Sequence, residues 1–183
     1  MIDFYKYLVS KSQNKTIYQH GKPYIVRNKL TLQSEDSKYL DIATLLKNHN
    51  IRVFHHEFHQ SDLDRHLHNH PWPFVSIILE GEYKEFTPKP ATEGTSKADW
   101  LSKRFKKGDI NSKLNPYEYH RLELITPTVK TLVIAGKAIL NWGFLTESGH
   151  VNYQDYLELK YADYETDGHP ADLIDIKGQK LNQ

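Results

Sequence analysis

The middle of the chain is a series of short apolar segments separated by turn signals, and this pattern limits the fold more than any other feature. The segments are rich in Val, Ile, Phe, Tyr and Leu, and they cover residues 51–58, 74–85, 101–106, 121–125 and 129–135. Short strands with such regular punctuation are typical of antiparallel barrels and sandwiches. No strand–helix–strand alternation and no internal repeat interrupts them. The pattern therefore predicts an all-β, antiparallel domain.

The regions on either side of these strands are mixed. We expect residues 1–50 to form an extension that packs on a barrel of residues 51–145, and residues 146–183 to add a closing helix and a polar tail. A length of 183 residues fits one structural domain of this kind. The finer predictions are helices over 2–12, 38–47 and 154–164, one or two strands over 22–32, and a loop over 87–99.

Composition excludes several classes of protein. The chain has 24 Lys and Arg against 23 Asp and Glu, so bulk charge favours neither nucleic acid nor an anionic membrane as a partner. Cysteine is absent, which excludes disulfide scaffolds, iron–sulfur clusters and thiol nucleophiles. No apolar run approaches the roughly 18 residues of a membrane-spanning helix, and the first residues do not resemble a signal peptide. We expect a cytoplasmic protein with no membrane partner.

Histidine is concentrated in one short segment. Six of the eleven histidines lie between residues 55 and 70. His68 and His70 are separated by one residue, and alternate residues of a strand point to the same face. The two imidazoles can therefore reach one interior position, and His120 precedes a further strand. Three such imidazoles suit zinc, copper, iron or nickel and leave positions open for water, substrate or dioxygen.

These residues resemble the sequence motifs of the cupin superfamily. Residues 68–81, with two histidines, a strand and a glycine turn, resemble the first cupin motif, and Gly108, Pro116 and His120 resemble the second. The resemblance covers residues 51–145 and implies a small jelly-roll barrel with a few peripheral helices. It also implies that His68, His70 and His120 are metal ligands.

One position departs from the cupin pattern. The first motif usually has a glutamate four residues after its second histidine, and this chain has Phe74 there. One reading is a three-histidine site that binds ferrous iron, as in cupins resembling cysteine dioxygenase. A second is that Glu82 or Glu85 supplies the carboxylate, and a third is a barrel without metal, as in sugar-nucleotide epimerases of similar fold.

The two neighbours of His120 are our candidate catalytic residues. Tyr119 could act as an acid or a hydrogen-bond donor, and Arg121 could hold a substrate carboxylate or phosphate. For each residue the simpler alternative is a packing aromatic or a surface ion pair. Phosphate-binding glycine loops and the nucleophile elbow of serine hydrolases are absent from the sequence.

The sequence therefore predicts a metal-dependent enzyme that acts on a small polar or anionic molecule. The expected metal is Fe(II), with Zn, Mn or Ni as alternatives. The expected chemistry is that of an oxidoreductase resembling dioxygenases, or a metal-assisted isomerase or lyase. The alternatives are a non-catalytic barrel that binds a small ligand and a metal-free sugar-nucleotide epimerase. We also expect a homodimer, because cupin barrels commonly pair through a sheet.

Overall fold

The computed structural model describes residues 13–19, 21–30, 40–90 and 92–158. This part of the chain is built mainly of antiparallel strands. They are β1 Gln13–Gln19, β2 Lys22–Leu30, β3 Arg52–Phe58, β4 Leu67–His68, β5 Phe74–Glu80, β6 Glu82–Pro88, β7 Trp100–Lys106, β8 Ile110–Lys113, β9 Arg121–Leu124, β10 Val129–Ala135, β11 Gly143–Thr146 and β12 Gly149–Asn152. The described helices are α1 Leu40–Asn48, a short 3₁₀ helix Lys97–Asp99 and the helical residues 153–158.

The strands form one six-stranded sheet and two three-stranded sheets. The large sheet has the order β1-β2-β3-β10-β5-β8, and the small sheets have the orders β12-β11-β4 and β7-β6-β9. An antiparallel bridge between His68 and His120 joins the small sheets, since His120 directly precedes β9. The bridge connects the two small sheets, and Tyr83 and Phe105 of one of them pack against Ile78 and Val129 of the large sheet.

The tight turn between β5 and β6 shows how the sequence sets the strand boundaries. Gly81 lies in the left-handed region with φ of +78°, and a Cβ there would lie 2.2 Å from the carbonyl oxygen of Thr128. Only glycine satisfies both conditions. The apolar segment 74–85 is therefore two strands that meet at Gly81.

Two apolar clusters fill the interior at different heights. The upper cluster is built on the large sheet and contains Phe54, Phe74, Val133 and Ala135, with Trp72 packed against it. The lower cluster joins the two layers and contains Ile78, Tyr83, Phe105 and Val129. A polar layer of buried side chains, which includes Glu85, Asn111, Lys113 and His120, contacts both clusters. Asn111 donates to the hydroxyl of Tyr83, and the ring of His120 lies 6.0 Å from that of Phe74.

The structure confirms the predicted all-β, antiparallel fold, and a strand lies in each of the five predicted segments. Helix α1 matches the predicted helix over 38–47, and β2 is one strand where one or two were expected. The predicted helix over 2–12 and most of that over 154–164 lie outside the described residues. In the described part of the chain, no helix has the length and hydrophobicity to cross a bilayer.

Candidate metal centre

The first two histidines of the site are placed by a backbone bridge. The N–H of His68 donates to the carbonyl of His120, and the N–H of His120 donates to the carbonyl of His68, both at 2.8 Å. Residues that face each other in an antiparallel pair project their side chains to the same face. The two imidazole rings accordingly stand side by side in the interior, with centroids 4.9 Å apart.

The third histidine is placed by the residue before it. Asn69 is 1% exposed, its backbone N–H donates to the carbonyl of Gly143 at 3.0 Å, and its side-chain oxygen accepts from the N–H of Gly143 at 2.8 Å. A Cβ on Gly143 would lie 2.1 Å from the carbonyl oxygen of Val151, so only glycine allows this approach. Asn69 thus fixes the backbone between His68 and His70, and the two rings lie 5.1 Å apart.

The three imidazoles form one compact group. One ring nitrogen from each of His68, His70 and His120 lies within 4.8 Å of the others. The Nε2 atoms of His70 and His120 are 2.8 Å apart. Two nitrogens about 2.1 Å from one metal ion are about 3 Å apart when the angle between their bonds is near 90°. The group therefore fits a divalent metal ion bound by three imidazoles.

A buried carboxylate orients the imidazole of His120. Glu85 is 3% exposed, and its Oε1 lies 2.6 Å from Nδ1 of His120. Burial alone would raise the pKa of Glu85, but the hydrogen bond from His120 and the charge of Lys113 bring the pKa down to about 2. As a carboxylate Glu85 can only accept, so Nδ1 of His120 donates the proton. In a neutral ring this leaves a lone pair on Nε2, the atom that faces His70.

Both carboxylate oxygens of Glu85 accept hydrogen bonds from side chains of strand β8. The side-chain N–H of Asn111 donates to Oε1, and Nζ of Lys113 donates to Oε2, both at 2.9 Å. The side chains of Lys113 and Glu85 are 8% and 4% exposed, so this ion pair is shielded from solvent. Both oxygens of Glu85 have partners, and the carboxylate supports His120 from behind.

Aromatic rings enclose the other sides of the group. The ring of Phe74 packs edge-on against His70 at 5.0 Å and lies 6.0 Å from His120. On the other side, His68 packs against Trp142 and Phe144. Burial lowers the pKa of His68 to about 4 and the pKa of His70 well below its ordinary value. Both rings are therefore neutral at pH 7, the protonation state that a metal ligand needs.

The two glutamates considered as replacement ligands have different positions. Glu82 forms an ion pair with Arg104, whose side chain is 63% exposed, at the outer surface of β6. Glu85 lies in the interior but contacts His120 through the nitrogen that points away from His70. Neither carboxylate belongs to the group of three histidines, and Phe74 fills the position where the cupin motif has its glutamate.

Tyr119 and Arg121, the candidate catalytic residues, have their contacts elsewhere. The guanidinium of Arg121 donates to the backbone carbonyls of Asp62 and Asp64, both at 2.9 Å. The hydroxyl of Tyr119 lies 2.7 Å from Nδ1 of His150. Side chains on either side of an inward residue of a strand point outward. The structure does not bring Tyr119 or Arg121 to the three histidines, and their catalytic roles stay predictions without support from position.

A groove of about 570 Å³ lies beside Glu85, between β7 and β8. Polar residues dominate its lining, which consists of Glu85, Thr87, Pro88, Lys103, Phe105, Ile110, Asn111, Ser112, Lys113, Tyr117, Glu118 and Tyr119. Tyr119 borders this groove rather than the histidine group. Glu85 lines this groove and also accepts a hydrogen bond from Nδ1 of His120.

Sequence comparison yields no relative, because no family model and no curated protein matches the chain. Solved structures of similar fold exist. The oxalate decarboxylase of Bacillus subtilis at pH 4.6 aligns with a TM-score of 0.50 and 13% identity over 88% of this chain and 38% of its own. Hydroxypropylphosphonic acid epoxidase from S. wedmorenis aligns at 0.46 and 11% over 69% of this chain and 56% of its own. This chain therefore spans between a third and three fifths of these proteins.

The similarity to the decarboxylase concerns the fold alone. It confirms the cupin-type β-barrel that the sequence resemblance implied. The group of three histidines that could bind a divalent metal comes from this chain's own geometry. The identity of the metal and the reaction do not follow from the comparison.

Proposed function

We propose that this chain is a metal-dependent cupin enzyme in which His68, His70 and His120 hold one divalent ion, with Fe(II) as the preferred metal. The observation that supports the proposal best is the compact group itself, with three ring nitrogens within 4.8 Å of one another. Burying several imidazoles together without a common partner would be unfavourable. A bound ion would satisfy all three nitrogens at once.

The neutral ligands determine which metals suit the site and what chemistry a bound ion would supply. Three imidazoles suit iron, zinc and nickel and leave the full charge of a divalent ion uncompensated. Such an ion would supply Lewis acidity and, for Fe(II), a binding position for dioxygen next to an anionic substrate. The proposed reaction is oxidation of a small polar or anionic molecule by dioxygen, with metal-assisted isomerisation or lyase chemistry as the alternative.

The protein's own residues would prepare this position. Glu85 keeps the His120 ring in one orientation and one tautomer, and Asn69 fixes the spacing of His68 and His70. Phe74, Trp142 and Phe144 line the group with apolar surface, which reduces the access of water. A dry surround strengthens electrostatic interactions between a bound ion and a charged substrate.

Metal content is the test of this proposal. Untagged protein is reconstituted without oxygen with Fe(II), and separately with Zn(II), Mn(II) and Ni(II), and bound metal is counted by mass spectrometry. We expect about one ion per chain, lost in a His68→Ala/His70→Ala variant. The control is His59→Ala, because His59 is part-exposed beside Glu57 and lies outside the group. The proposal would be contradicted if none of the four metals binds, or if the double variant still binds metal.

Reaction class needs a second measurement. Dioxygen consumption by the Fe(II) protein is followed with a panel of small amino, hydroxy, thiol and phosphonic acids. Dioxygen uptake that depends on a substrate and disappears in the double variant would support oxidation by dioxygen as the reaction. If the metal binds but no acid in the panel is consumed with dioxygen, product analysis under nitrogen would test isomerase or lyase chemistry.

A further inference from the structure

A part-buried arginine on the large sheet has no carboxylate partner among the described residues. Arg27 lies on β2, directly opposite His56 of β3, and its Nε donates to Nε2 of His56 at 3.1 Å. Burial lowers the pKa of Arg27, but an arginine remains charged at any pH the protein meets. Within the described ranges no acidic side chain forms an ion pair with it. A positive charge that is partly removed from water and has no counter-charge is unfavourable, and an anionic ligand would offset this cost.

His56 does not neutralise this charge. Because its Nε2 accepts from Arg27, a neutral His56 ring carries its proton on Nδ1. Burial lowers the pKa of His56 well below its ordinary value, and the charge of Arg27 lowers it further. His56 therefore stays uncharged beside the guanidinium, which leaves the positive charge available to a ligand.

A second polar group without a partner lies in the same row. Thr131 of β10 is the partner of His56 on its other side, so Arg27, His56 and Thr131 form one line across three strands. Paired residues share a face, and Phe54 and Val133, two positions along their strands, mark that face as the interior. Thr131 is 2% exposed, and its Oγ1 has no hydrogen-bond partner within the described structure.

Two packed aromatic rings connect this row to the histidine group. The guanidinium carbon of Arg27 is 5.7 Å from the ring centre of Phe54, and Phe54 packs with Phe74 in the upper cluster. Phe74 in turn contacts His70.

From this geometry we propose that Arg27 and Thr131 form an oxyanion-binding site, which holds a carboxylate or phosphate group of the substrate beside the histidine group. The guanidinium would form paired hydrogen bonds to two oxygens of the anion, and the Thr131 hydroxyl would donate to one of them. The proposal rests on the proposed function for the identity of its ligand as a substrate. It narrows the substrate class to small molecules with at least one oxyanion group.

Anion titration of metal-free protein tests the site separately from the metal. Chelator-treated protein in chloride-free buffer is titrated with acetate and, in a separate series, with inorganic phosphate, and binding is measured by calorimetry. We expect saturable binding of at least one anion. The anion that binds more tightly indicates whether the site prefers a carboxylate or a phosphate group. Arg27→Gln should weaken it at least tenfold. Arg104→Gln removes an exposed arginine and should leave the affinity unchanged.

Thr131→Val distinguishes ligand binding from a structural role. Valine has nearly the shape of threonine, and the hydroxyl has no protein partner to lose. We expect severalfold weaker anion binding while the free energy of unfolding stays the same or rises. If Arg27→Gln does not fold, Arg27→Lys keeps the charge without the paired geometry and should weaken binding severalfold.

Three results would overturn the site: no binding of either anion, unchanged affinity in the Arg27 variants, or unchanged affinity with lower stability in Thr131→Val. The number of metal ions bound per chain is measured independently of the anion titration. Loss of metal binding with intact anion binding would reject the proposed function and keep the oxyanion site. Intact metal binding without anion binding would reject the oxyanion site and keep the proposed function.

Discussion

The interior of this barrel has two regions of opposite character, the lower apolar cluster and the polar layer around the histidines. The lower cluster is formed by Ile78, Tyr83, Phe105 and Val129, and it joins the two layers of the fold through apolar contact. The polar layer buries a lysine–glutamate ion pair beside the three imidazoles. Burying charged and polar groups contributes little net stability, whereas burying apolar surface contributes most of it. The comparison indicates that one region maintains the fold and the other maintains a site.

The largest expected effect on stability belongs to the lower cluster. Ile78 is 1% exposed, and Ile78→Ala should lower the free energy of unfolding by about 2–5 kcal/mol, because it leaves a cavity between the layers. Metal stoichiometry of the folded fraction should not change. Chemical denaturation of metal-free protein measures the loss. The control is Ile134→Ala on β10, which removes the same atoms from a side chain that is 39% exposed and should cost far less.

Asn69→Ala should lower both the stability of the fold and the affinity for metal. It leaves the buried N–H of Gly143 without its acceptor, so we expect a loss of about 1–3 kcal/mol in the free energy of unfolding. Because Asn69 fixes the backbone between His68 and His70, metal affinity should fall as well. A variant that loses stability but binds metal as tightly as the wild type would show that Asn69 does not position the ligands.

Glu85→Gln should act on the site. The substitution removes the charge that accepts the proton of His120, and loss of such a partner lowers metal affinity about 10–100-fold. Competition with a chelating dye for Zn(II) gives the affinity. A loss of less than threefold would indicate that His120 is oriented by the backbone bridge alone.

Glu82→Gln provides the matched control and the smallest expected effect. Glu82 lies on the same strand, but its partner is the exposed Arg104. Exposed ion pairs contribute little to stability because solvent screens them, so stability should change little and metal affinity should not change. If both glutamine variants lost metal equally, the difference between the two carboxylates would be refuted.

The strand pattern and the paired histidines were predictable because both depend on local sequence. Alternation placed His68 and His70 on one face, and turn signals marked most strand ends. Strand β1 escaped prediction because its sequence, QNKTIYQ, is polar and lacks alternation. Strands β8, β11 and β12 have only four residues each, too few for a recognisable period.

The partners of the histidines depend on pairing between distant strands, which the sequence does not show. Arg27 meets His56 across β2 and β3, and Glu85 reaches His120 from another strand. Tyr119 and Arg121 are neighbours of His120 in sequence, but the alternation that turns His120 inward gives them contacts elsewhere. The homodimer and the cytoplasmic location stay predictions.

The central claim is that three histidines share one metal ion, and an anomalous-diffraction crystal structure of reconstituted protein tests it most directly. Data collected at the absorption edge of the bound metal locate the ion without reference to the protein. The account predicts one anomalous peak, about 2.0–2.3 Å from one ring nitrogen each of His68, His70 and His120. Glu85 should keep its hydrogen bonds to His120 Nδ1, Asn111 and Lys113 and should not contact the metal. A peak away from these imidazoles, or Glu85 as a metal ligand, would contradict the account.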